Sequence, residues 1–297
     1  MNGISFYFLA CFVGEKMTDP FIKFDQVSYQ YDTTTQPILW NISLHFRKGW
    51  TGIVGANGSG KTTLLKLALG NIKPDSGFIE TPGSGAYCEQ RTDNIPDKFG
   101  DFLESWDTDV FRLKGQLDIE SDWQERWRSL SHGERKRAQI ASILWQKPEI
   151  LAIDEPTNHI DRDGRIQLIQ SLKNYQGVGL IVSHDRELLE TLCQGNVFLT
   201  SNTAIYQPGL YSEGKKQIEQ NLLQQHKVWD QADVELKKLT KRASGFRSKA
   251  SHADRQRSKK GISAKNHDAK AKIDAARVTG KDALAGKAMN QLQGRIK

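Results

Sequence analysis

Residues Gly55-Ala56-Asn57-Gly58-Ser59-Gly60-Lys61-Thr62 form a glycine-rich loop closed by a lysine and a hydroxyl. Glycines here let backbone N–H groups curl around a phosphate, and a helix following the loop points its positive end at the same place. Lys61 is suited to reach β- and γ-phosphates, and the Thr62 hydroxyl to hold Mg²⁺. Further on, the apolar run Ile150-Leu151-Ala152-Ile153 ends in Asp154 and Glu155. A buried strand delivers terminal carboxylates to the edge of its sheet, beside such a loop. Asp154 then coordinates the metal ion, and Glu155 takes a proton from an attacking water.

These groups need strands and helices to hold them. Val27, Tyr29 and Tyr31 alternate with polar residues, as do Ile42, Leu44 and Phe46, which predicts half-buried antiparallel strands. Gly52-Ile53-Val54 predicts a short strand ahead of the loop, and Thr62 to Leu69 a helix after it. Residues 148–154 and 178–183 read as apolar strands, with helical stretches from Gly133 to Gln146 and from Ile166 to Tyr175. Strands alternating with helices imply an α/β fold around a parallel sheet.

Between loop and acids stands Leu130-Ser131-His132-Gly133-Glu134. It resembles the Leu-Ser-Gly-Gly-Gln signature of ATP-binding-cassette proteins, and Ser131-x-x-Glu134 also reads as a helix capping box. The resemblance implies ATP and Mg²⁺ as cofactors. It also implies a cassette fold with antiparallel β and helical subdomains, and head-to-tail pairing with a second cassette. In that pairing Ser131 and Gly133 contact the γ-phosphate held by the partner. His132 replaces the usual glycine and crowds that phosphate; Glu134 replaces the usual glutamine. By the same resemblance Gln90 senses Mg²⁺ and the attacking water, and Asp161 lies in the loop that crosses between cassettes. His184 senses the γ-phosphate, and Tyr31 stacks on adenine, with Tyr29 close enough to compete. Gly55, Asn57, Gly58, Ser59, Gly60, Lys61, Thr62 and Thr63 complete the nucleotide site, and Thr62, Gln90 and Asp154 the metal site.

The wording Asp154-Glu155-Pro156-Thr157-Asn158-His159-Ile160-Asp161 and the glutamate-ending signature resemble the ABC-F branch. Members of that branch join two cassettes by a basic helical hairpin that reaches toward tRNA on the ribosome. Charge is divided in a way that suits this. Residues 1–212 hold 21 Lys+Arg and 26 Asp+Glu, and residues 213–297 hold 21 and 9, so a body of −5 carries a tail of +12. By composition alone such a tail reads either as a solvated face or as a surface for a polyanion partner.

Ile218, Leu222, Trp229, Ala232, Leu236 and Leu239 follow a heptad-like pattern, residues 240–267 read as a basic connection, and Ala285, Met289, Leu292 and Ile296 as a second helix. The expected organisation is an N-terminal extension from a mis-chosen start codon (1–16), a cassette (17–207) and a basic helical hairpin arm (208–297) that binds rRNA or tRNA. The longest apolar run, Ile4 to Val13, is too short to span a bilayer. Scattered Cys11, Cys88 and Cys193 point to the reducing cytoplasm. The chain resembles the N-terminal half of a two-cassette protein with its interdomain linker, whether as a fragment, a truncated gene product or a half-size protein in its own right. Two other readings are the ATPase subunit of a transporter and a truncated, non-catalytic remnant.

Overall fold

A computed structural model describes residues 19–200 and 202–257, together with residues 268 and 271. The expected extension 1–16 and the second arm helix around Ala285 to Ile296 lie outside the described residues. The chain divides into two compact units, with the division after Lys216.

The first unit is built on two sheets. Strands β1 (Ile22–Tyr29), β2 (Leu39–Phe46) and β4 (Ser76–Glu80) form an antiparallel sheet in the order β2-β1-β4. The alternation read from Val27 to Tyr31 does not hold. The strand ends at Tyr29, and its register with β2 and β4 shifts between residues 24 and 29. Gln26 takes a φ of 50°, so Ile22, Phe24 and Val27 face the core and Ser28 is buried with them.

The larger sheet contains β3 (Gly49–Gly55), β5 (Gly85–Cys88), β6 (Ile150–Asp154), β7 (Val178–Val182), β8 (Gly195–Thr200) and β9 (Thr203–Pro208). Its order is β5-β6-β7-β3-β8-β9; all neighbours are parallel except β8 and β9, a hairpin. Every residue of β6 and β7 is buried, as central parallel strands covered on both faces require.

Helix α1 (Lys61–Ala68) fills the core with Leu64, Leu65 and Leu67, all fully buried against Ile22, Phe24 and Phe46 of one sheet and Val182 and Val197 of the other. Burial of each leucine stabilises by about 1.5–3 kcal/mol. Helices α2 (Phe99–Glu104), α3 (Thr108–Leu117) and α4 (His132–Trp145) form a helical region packed around Phe99, Phe102, Leu113 and Trp127. Helices α5 (Arg162–Lys173) and α6 (Arg186–Leu192) follow β6 and β7.

Helix α7 (Tyr211–Arg257) is 47 residues long. Residues 240–257, expected as a connection, are helical; lysine, arginine, alanine and glutamine are all adequate helix formers, and a lack of large apolar residues does not break a helix. Leu222, Trp229 and Leu236 of the heptad-like series are exposed. Among the described residues no helix is long and apolar enough to cross a membrane.

Candidate active site

Strand register alone gathers the predicted residues at one sheet edge. Ile53 of β3 pairs with Val182 of β7, and Val182 pairs with Asp154 of β6. Ile153 pairs with Cys88 of β5. Just past these positions come the glycine-rich loop, Glu155, His184 and Gln90, at the carboxyl edge where ligands of parallel α/β sheets bind.

The loop holds its shape by left-handed backbone at Gly58 (φ 79°) and Gly60 (φ 95°), which a side chain would strain. Gly60 begins α1 without any side-chain cap, and no acid lies in the first turn. The first N–H groups of α1 are thus directed into the loop, where an anion is favoured. Lys61 Nζ lies over the loop and donates to the carbonyls of Gly55 (2.9 Å) and Ala56 (3.1 Å). Among the described residues the buried Ser59 hydroxyl has no hydrogen-bond partner, and a phosphate oxygen fits that place.

A cleft of about 490 Å³ opens here. Asn57, Gly58, Gly60, Lys61, Thr62 and Thr63 line one side. Gln90, Asp154, Glu155 and His184 line the other, joined by Ile38 and Asn158, which the sequence reading did not single out as site residues. Asn158 was visible only as part of the motif wording, and Ile38, just before β2, carried no signal.

Thr62 Oγ1 donates to Asp154 Oδ2 at 2.7 Å, and the Tyr87 hydroxyl donates to the same oxygen at 3.2 Å. Burial and the Asp154 charge push the Tyr87 phenol well above its usual value, so it remains a donor. Two hard oxygens in contact, with Gln90 on the same cleft, fit a small divalent cation. Among the described residues no three His, Cys, Asp or Glu side chains cluster as a metal cage.

Glu155 is buried, and its φ is 47°. Its backbone N–H donates to the Val182 carbonyl at 2.9 Å. One carboxylate oxygen accepts from the His184 backbone N–H at 3.4 Å, and the other lies 3.4 Å from His184 Nε2. Burial raises the Glu155 carboxyl above the ordinary range, with His184 opposing. A carboxylate so raised is better matched to a proton-accepting role near neutral pH.

The remaining predicted residues lie elsewhere. Ser131 and Gly133 sit at the start of α4, away from the cleft lining. The capping box is present: Ser131 Oγ accepts from Glu134 N–H, and Glu134 Oε2 accepts from Ser131 N–H. Burial opposes, but these bonds outweigh it and hold the Glu134 carboxyl below its usual value. A Cβ at position 133 would lie 3.1 Å from the His159 carbonyl, so glycine permits that close approach.

The His132 imidazole turns toward its own chain: Nδ1 is 2.9 Å from Thr92 Oγ1. Asp161 caps α5 by accepting from Gly164 N–H at 3.1 Å. Tyr31 contacts Tyr29 edge-to-face, 4.9 Å between ring centres, and its hydroxyl is 3.1 Å from Thr63 Oγ1. It touches the nucleotide loop's helix without lining the cleft.

Residues 39–158 match the family described as ABC transporter. A putative ABC transporter ATP-binding protein of Nitratidesulfovibrio vulgaris is 31% identical over 222 residues, covering 64% of this chain and 80% of that protein. Ribosome protection protein VmlR of Bacillus subtilis is 28% identical over 260 residues, covering 84% of this chain and 45% of VmlR. The chain spans 26 to 45% of the length of several curated relatives. The fold resembles that of the ATP-binding cassette MJ0796, solved as a dimer bound to ADP and Pi. The TM-score is 0.53 at 18% identity, covering 63% of this chain and 98% of that one. With the phosphate loop, acid-tipped strand and signature in cassette order on this fold, the chain belongs to the ABC transporter family, as an ATP-binding cassette.

Proposed function

We propose that the chain is the ATP-hydrolysing cassette of an ABC-F-type translation factor, with residues 208–297 as a basic arm directed at ribosomal RNA or tRNA. The observation that carries this reading is the match to VmlR. At 84% of the chain it extends past the 17–207 cassette into the basic segment. A helix carrying Lys237, Lys238, Lys241 and Arg242 gains by releasing counterions from a nucleic-acid backbone.

In the cleft, Lys61 and the loop N–H groups hold the phosphates. Thr62, Asp154 and Gln90 are the residues that would hold Mg²⁺, which would supply neutralisation of the phosphate charge. Glu155 accepts the proton of the attacking water, and His184 faces both Glu155 and the cleft. Ser131, Gly133 and Asp161 stand outside the cleft, where they serve the site of a second cassette, whether another copy or a separate half. Closure of the pair on ATP then positions the arm.

A transport subunit is the second reading, favoured by the Nitratidesulfovibrio relative, of which the chain spans 80%. Gradient sedimentation of lysate with ATP at two salt concentrations tests the first. Co-migration with ribosomes is expected. Replacing Lys237, Lys238, Lys241, Arg242, Arg247 and Lys249 with Gln weakens it and leaves nucleotide titration unchanged. Capture of a membrane permease, with no ribosome association, would replace the first reading by the second.

A further inference from the structure

Gln90 lies two residues past β5, in a segment without regular structure. Backbone carbonyls in such a segment need partners from elsewhere, and here they come from one helix. Lys136 donates to the carbonyl of Glu89, and Gln139 donates to the carbonyl of Arg91 at 2.8 Å. His132 meets the Thr92 hydroxyl at 2.9 Å. Residues 132, 136 and 139 share one face of α4, at spacings of four and three. Both neighbours of Gln90 are therefore pinned by the helix that opens at Ser131.

Lys136 shows that the donor itself is used. Its side chain is buried, with the Cys88 thiol 3.9 Å from its ammonium. An ammonium in such a place is costly, and a methionine of similar length would fill it without that cost.

We infer that Lys136, Gln139 and His132 are positioning residues for Gln90, so that the Gln90 segment is carried by the signature helix. This rests on the reading that Gln90 serves Mg²⁺ and water in the cleft.

The test measures phosphate release against free Mg²⁺, with fluorescent ATP binding in parallel, on the full chain and five variants. These are Gln90→Ala, Lys136→Met, Gln139→Leu and the double Gln90→Ala/Lys136→Met, with Lys136→Arg as a fifth, conservative variant. Lys136→Met is expected to lower turnover about tenfold and to raise the half-saturating Mg²⁺ several-fold while retaining ATP affinity. Lys136→Arg, which keeps a donor, restores most of the loss. In the double variant Lys136→Met adds less than about twofold to Gln90→Ala.

Additive losses, or an unchanged Mg²⁺ profile in Lys136→Met, overturn the proposal. If Lys136→Met does not fold, Gln139→Leu stands in its place, and an unchanged profile there is equally fatal. If Gln90→Ala alone leaves turnover and Mg²⁺ dependence untouched, the reading of Gln90 itself fails, and the proposal with it.

Discussion

Helix α1 begins at Gly60, in left-handed backbone and with no side chain to close its end, whereas helix α4 begins at Ser131 inside a complete capping box. At α1 the orphan N–H groups and the Lys61 ammonium face one point with no acid in the first turn. At α4 the Ser131 hydroxyl and Glu134 carboxylate satisfy the local N–H groups, and a negative charge already occupies the place. The difference teaches a division of labour. The α1 end is left open to an anion. The α4 end is a finished structural unit that keeps its shape without one, and on the proposed function it acts through pairing.

The largest effect expected is from Glu155→Gln, which leaves both helix ends intact. Phosphate release should fall about 10²–10⁴-fold, the usual worth of a positioned base. ATP binding should persist, and light scattering should show ATP-dependent pairing. The same variant carries a pH signature. Burial raises the folded-state carboxyl, so the folded protein binds that proton more tightly than the unfolded chain does. The resulting penalty is absent below the ordinary glutamate range and grows as pH rises through the raised value. Glu155→Gln should therefore melt above the parent at neutral pH, with the gap closing as pH falls toward 4.

Next, Lys61→Ala should break the α1 side, weakening ATP binding about 100-fold or more, because a charge-assisted contact to phosphate is lost. Fluorescent-nucleotide titration reads it, and unchanged affinity would remove the asymmetry between the two ends. The smallest effect is expected from Ser131→Ala. It should cost about 1 kcal/mol of stability through the lost cap and leave ATP affinity unaltered. Any rise of turnover with protein concentration should vanish, and a rise that survives would show that the α4 end is a cap alone.

Much of the cleft was legible because its chemistry needs rare residue combinations at fixed spacings. A phosphate loop after a strand and an apolar strand tipped by acids can hardly be written otherwise, and sheet register then brings them together without further instruction. What stayed hidden has local causes. The bulge at Gln26 puts Ser28 among core residues, so strict alternation could not locate the end of β1. Helices α2 and α3 are short and start at Lys98 and Asp107 without a side-chain cap bond. The basic part of α7 looked like a loop because hydrophobic periodicity was the guide, and an exposed helix need not show one. His132 could be read only as a departure from the signature. Its partner, Thr92, is forty residues away and came close only through the packing of α4 on the segment after β5.

The left-handed backbone at Glu155 has a practical side for anyone seeking an inactive but well-folded cassette. The Glu155 backbone is left-handed there, and its N–H donates to the Val182 carbonyl at the end of β7. Residues differ in their tolerance of positive φ: asparagine accepts it, and β-branched side chains resist it most. Gln and Asn are thus the substitutions that should silence the base while keeping its neighbours in register. Val or Thr at the same position should disturb the turn and the Asp154 carboxylate beside it.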